Sequence, residues 1–168
     1  MSGQVEQYLF HRGEYRQAYE YLGAHPTRNS TIFRIWAPAA KSVAVVGDFN
    51  DWTAREEDYC RKLNNVGLWE VEIKKVKKGF LYKYQIETSW GEKILKSDPY
   101  AFYSELRPHT ASIVNGIPKF RWGDKKWLNN REIGYAKPIN IYEVHLGSWK
   151  KKEDGTYYNY REIAELLV

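Results

Sequence analysis

Two tryptophans sit where the chain must turn. Trp52 closes the segment Gly47-Asp-Phe-Asn-Asp-Trp52, directly after an apolar run. Trp90 lies in Ser89-Trp90-Gly91, between two runs that alternate in polarity, and Lys83 falls on the outward side of the run leading to it. A Trp at a turn either folds down onto the core or is used, because a large apolar ring left in water forgoes its burial. For a single Trp the core is the ordinary reading. Two such residues, with an outward Lys and with Asn50 in the same segment as Trp52, shift the reading toward binding. Indole supplies a flat apolar plane, while ammonium and amide groups supply hydrogen bonds. That combination suits sugar rings, whose C–H faces pack on aromatic planes and whose hydroxyls need polar partners. Each stack is worth on the order of 1 kcal/mol by analogy with aromatic pairs. After the cost of association, so small a site implies roughly millimolar to micromolar affinity, which suits a polymer with many repeats.

No comparable arrangement points to catalysis. Carboxylates are plentiful, yet none falls in a recognisable acid–base spacing, and the sequence has no Gly-x-Ser-x-Gly elbow, phosphate loop or metal-ligand cluster. His145 lies on the last predicted strand and reads as a satisfied core or loop-anchoring histidine in preference to a catalytic one. Cys60 reads as a small buried hydrophobe. We therefore expect no catalytic residue, no cofactor and no metal site within this chain.

The elements that must hold these residues follow from composition and period. At 168 residues and 43% hydrophobic content, the chain has enough apolar side chains for one core plus part of another. The net charge of +5 raises nucleic acid as a partner, but the lysines cluster beside turns, as in Lys74-Lys75-Val76-Lys77-Lys78-Gly79, where they read as a solvated face. No apolar run approaches the ~20 residues of a membrane span. Met1 to Gln7 lack a signal pattern, and a single cysteine fits a reducing compartment. The expectation is a cytoplasmic monomer without nucleic-acid or membrane partners.

Val5 to Leu22 has helical spacing broken at Gly13, and Pro26 ends that segment. From Ser30 the period becomes two. Strands are predicted over 31–36, 42–46, 68–73, 81–87, 92–96 and 110–114, with Trp69, Val71 and Ile73, then Tyr82, Tyr84 and Ile86, facing inward. Short strands joined by polar turns describe an antiparallel β-sandwich. The predicted organisation is a helical segment over 1–26, a sandwich over 27–116, a polar connector over 117–137 and a further unit over 138–168. In that last unit, 139–146 reads as a strand. Asn159 with Glu162 reads as a capping box opening a helix with Ile163, Leu166 and Leu167 on one face.

Several motifs carry a resemblance. They are Phe33-Arg-Ile-Trp-Ala-Pro-Ala-Ala-Lys-Ser-Val43, Val45-Val-Gly-Asp-Phe-Asn-Asp-Trp52, Gly67-Leu-Trp-Glu70, Leu81-Tyr-Lys-Tyr84, Lys96-Ser-Asp-Pro-Tyr-Ala101 and Arg107-Pro-His-Thr-Ala-Ser-Ile-Val114. Together with Tyr8-Leu-Phe-His11, Leu22-Gly-Ala-His-Pro26 and Ile141-Tyr-Glu-Val-His-Leu-Gly-Ser-Trp149, they resemble the N-terminal region of 1,4-alpha-glucan branching enzymes. The resemblance implies a mainly β fold. By that resemblance an immunoglobulin-like family 48 carbohydrate-binding module would be followed by the truncated start, first strand and helix, of a (β/α)8 barrel. It also implies an α-glucan ligand such as glycogen or maltooligosaccharides, cytoplasmic glycogen biosynthesis, and catalytic carboxylates on later barrel strands. By similarity to the glycogen-binding beta subunit of AMP-activated kinase, the sugar site falls on Trp52, Lys83 and Trp90. Asn50 lies beside the first of these, and Ser112 stands near a position that a ligand-binding Asn holds there. A stand-alone glycogen-targeting module and a structural buttress for the barrel remain the alternatives.

Overall fold

The computed structural model describes residues 3–117, 121–131 and 138–167. The chain divides into one unit over residues 1–120 and a second over 121–168.

The first unit is built on two antiparallel sheets. One has the order β1 (Gly23–Pro26), β2 (Ser30–Trp36), β5 (Leu68–Lys74), β4 (Arg61–Lys62). The other has the order β3 (Ser42–Gly47), β6 (Leu81–Glu87), β7 (Lys93–Lys96), with β8 (Ser112–Ile113) pairing β6 beyond the end of β7. Strand alternation sets the packing. Thr31, Phe33 and Ile35 of β2 lie opposite Ile73, Val71 and Trp69 of β5, and all six are buried. From the facing sheet, Val43 and Val45 of β3 and Tyr82 and Tyr84 of β6 close the same core, with Phe33 and Tyr82 edge to face at 5.0 Å between centroids. The sandwich and the inward residues named from the sequence are those observed. Cys60 also lies in this core, and burial pushes its thiol up to about 12, so it is an inert hydrophobe.

The N-terminal segment folds as α1 (Gln4–His11) and a short 3-10 turn over Ala18–Glu20, with Gly13 left-handed between them. It lies on the outer side of the first sheet, where Tyr21, Leu22 and Leu68 form a second apolar cluster. Arg34 ties the two together. Its guanidinium stacks on the Tyr21 ring at 4.5 Å, and its Nε donates to Glu70 Oε2 at 2.6 Å. Arg61 from β4 donates to the other carboxylate oxygen of Glu70. Two expectations change here. Gly23–Pro26 is not merely a helix stop but the edge strand β1, whose four residues are too few to show a period. The connector contains α2 (Lys125–Asn130), with Trp127 beneath the Arg131 guanidinium.

In the second unit the capping box is present. Asn159 Oδ1 accepts from Glu162 N at 3.0 Å, and Asn159 N donates to Glu162 Oε2 at 2.8 Å, opening α4 (Tyr160–Leu167). The expected strand over 139–146 is not formed. Residues 138–145 run without a ladder, and α3 (Leu146–Trp149) follows. A strand exists only against a partner that takes its N–H and C=O groups, and no described residue pairs with this run. His145 anchors its own loop, with Nδ1 2.7 Å from Ser148 Oγ.

Candidate functional site

The site begins at the end of β3. Gly47 is followed by a tight loop in which Asn50 N and Trp52 N both donate to the Gly47 carbonyl, at 3.2 and 3.0 Å. A Cβ on Gly47 would overlap the Leu81 carbonyl oxygen, so only glycine lets β3 and the start of β6 approach this closely. Asp48 fastens the other side, with its Oδ2 accepting from Leu81 N at 2.8 Å. Asp51 and Trp52 are both left-handed, at φ 53° and 59°. A left-handed β-carbon residue costs energy and persists only where its surroundings hold it. Here the loop's hydrogen bonds hold Trp52 at the surface, where it is 39% exposed.

Asn50 does something other than expected. Its side chain is buried, its Nδ2 donates both to Val45 O at 2.9 Å and to Asp58 Oδ2 at 2.7 Å, and its Oδ1 accepts from Gly47 N at 2.9 Å. Both amide protons are used inside the protein. Asn50 therefore shapes the loop that presents Trp52 and offers nothing to a ligand. Ser112 is corrected in the same way. It is buried, and its Oγ accepts from Asp98 N at 2.9 Å. Asp98 in turn accepts from the Tyr82 hydroxyl at 2.6 Å, and burial raises both the Asp98 carboxyl and the Tyr82 phenol. Neither residue was separable from a surface polar group by sequence, because a short polar side chain in a turn or a two-residue strand reads alike in both settings.

Lys83 lies on β6 opposite Val46, between the buried Tyr82 and Tyr84, on the outward face. Its Nζ donates to Thr110 Oγ1 at 2.8 Å, a partner that sequence reasoning missed. Trp90 sits at the β6–β7 tip, where Gly91 N donates to Thr88 O at 3.0 Å, and the indole is 88% exposed. Lys83 lies in the second sheet and the two tryptophans on turns at its ends, so the three are not one cluster. The register puts Trp52 and Lys83 at the Gly47–Leu81 end, whereas Trp90 lies beyond Glu87, at least ~13 Å farther along β6. Between them the outward positions are Gln85 and, directly across on β7, the half-exposed Leu95. Among the described residues, no group of acidic, His or Cys side chains could hold a metal ion.

A sequence profile for carbohydrate-binding module 48 (isoamylase N-terminal domain) matches residues 21–101, a range containing Trp52, Lys83 and Trp90. The matched range takes in β1, the edge strand that sequence period did not reveal. Over its whole length the chain is similar to the N-terminal region of 1,4-alpha-glucan branching enzymes. It is 90% identical over 168 residues to that of Fusobacterium nucleatum subsp. nucleatum, covering 100% of this chain and 28% of that protein. It is 48% identical over 170 residues to that of Geobacillus stearothermophilus, covering 98% of this chain and 25% of that one. The chain thus spans about a quarter of the length of the curated relatives it matches. Among solved structures, a type I pullulanase from Bacillus subtilis complexed with maltose aligns over 60% of this chain and 14% of its own. The identity is 27% and the TM-score 0.49.

Proposed function

We propose that the module binds α-glucan on the outer face of its second sheet. Trp52 and Trp90 would stack on glucose rings, and Lys83, oriented by Thr110, would donate to a hydroxyl. The observation that carries this reading is the loop from Gly47 to Trp52, which spends two left-handed residues and a buried amide to keep an indole at the surface. The spacing along β6 favours a ligand several glucose units long over a single sugar. The setting we propose is the one that the relatives' names indicate: the glucan-binding part of a branching enzyme in glycogen synthesis, which moves α-1,4-linked segments to a 6-hydroxyl. The carboxylates for that transfer would lie outside these 168 residues, so the chain alone should bind without turnover.

Calorimetry with maltoheptaose tests the site. Trp52→Ala and Trp90→Ala should each weaken binding about fivefold, corresponding to ~1 kcal/mol per stack. Unchanged affinity in both would remove the site from these residues. Incubating the chain with amylose should leave its iodine colour intact, and a loss of absorbance would overturn the prediction of no turnover.

A further inference from the structure

The loop that presents Trp52 also builds a second feature. A cleft of about 650 Å³ opens between the ends of the two sheets, a size usual for small-ligand sites. Its apolar lining is Phe49 from the loop, Ile73 from the end of β5 and Phe80 just before β6. Phe49 leans on the core, 6.3 Å from the Phe33 ring. Around this floor stand Arg55, Lys74 and Lys75, together with the carboxylates of Glu57, Asp58 and Glu72. The signs are mixed on a short rim. An anion would meet Glu57, Asp58 and Glu72, and a cation would meet the two lysines and Arg55. A neutral polyol takes donors and acceptors alike, while its C–H faces rest on the phenyl rings. Backbone geometry singles out the same place. Among the described residues, the non-glycine positions with left-handed φ are Asp51, Trp52 and Lys75. Two belong to the tryptophan loop. The third stands on the cleft rim, held at φ 64° by its N–H to Asn29 O at 2.9 Å.

We propose that this cleft is a second saccharide site, taking a short segment of one or two glucose units and joined to the Trp52 surface by the loop both share. Its ligand class rests on the glucan reading above. The test uses the full chain carrying Trp52→Ala and Trp90→Ala, titrated with maltose and followed by backbone amide shifts. We expect saturable shifts at Phe49, Lys74, Lys75 and Phe80. Adding Glu57→Ala and Lys74→Ala, both at the rim, should raise their midpoint about fivefold with the thermal midpoint unchanged. No saturable shift at those amides, while the unsubstituted chain still responds around Trp52, would overturn the cleft and leave the outer-face site standing. Shifts at the cleft alone in the unsubstituted chain would support the cleft and remove the outer-face site. Silence at both places would overturn both. Inorganic phosphate shifting the cleft amides at lower concentration than maltose would overturn the neutral-sugar assignment.

Discussion

Asn50 shows how a residue can shape a surface loop from inside the core. Its amide joins β3, the loop and Asp58, and burial makes each lost partner costly. Asn50→Ala should therefore destabilise the chain by ~1–3 kcal/mol, read as a lower urea midpoint. It should also weaken maltoheptaose binding through a loosened Trp52 loop. Asn50→Asp separates charge from shape. The carboxylate would face Asp58 across a hydrogen bond that needs a donor, so this variant should fall in stability at neutral pH and recover part of the loss in acid. Trp52 was legible because an indole after Gly-Asp-Phe-Asn-Asp has few places to go. The inward turn of Asn50 was not, because its partners Val45 and Asp58 are fixed by a loop path that sequence spacing does not specify.

At the level of elements, the Arg34–Glu70–Arg61 line across β2, β5 and β4 holds the edge of the first sheet and, through Tyr21, the segment that packs over it. Burial alone would raise the Glu70 carboxyl, but the hydrogen bonds and charges of Arg61 and Arg34 outweigh it, and its pKa falls below 4.5. A carboxyl lowered on folding adds stability that is full above its unfolded pKa and disappears as pH drops through the folded value. Urea midpoints should consequently fall more steeply below about pH 4.5 in the unsubstituted chain than in Glu70→Gln. Equal slopes would mean that the line contributes nothing. The long alternating strands β2, β5 and β6 were readable from sequence since each shows a full inward stripe. β1 and β4 were not, because four and two residues carry too little period and owe their form to β2 and β5 beside them. The run 139–146 failed in the opposite sense: its residue types suit a strand, but pairing partners decide whether one forms.

For the whole molecule, stability should be uneven. The sandwich shares one core across both sheets, whereas α4 is a single eight-residue helix, a length marginal in isolation. Hydrogen exchange should leave amides of β2, β5 and β6 protected long after those of 138–167 have exchanged, and equal protection would contradict this. Binding should also separate the sugar reading from a polyanion reading. Affinity for maltoheptaose should barely change between low and high salt, while contact with nucleic acid would weaken steeply. The outer edge of β7 has a different bearing. It has no neighbouring strand among the described residues, and its sequence is Lys93-Ile-Leu-Lys96. An open edge with Ile94 and Leu95 is a template for another chain, and a lysine at each end of the pair sets like charges against any incoming copy. The two lysines thus act as gatekeepers of solubility, and a chain with both replaced by Val should self-associate into β-rich aggregates on storage, while one retaining them stays dispersed.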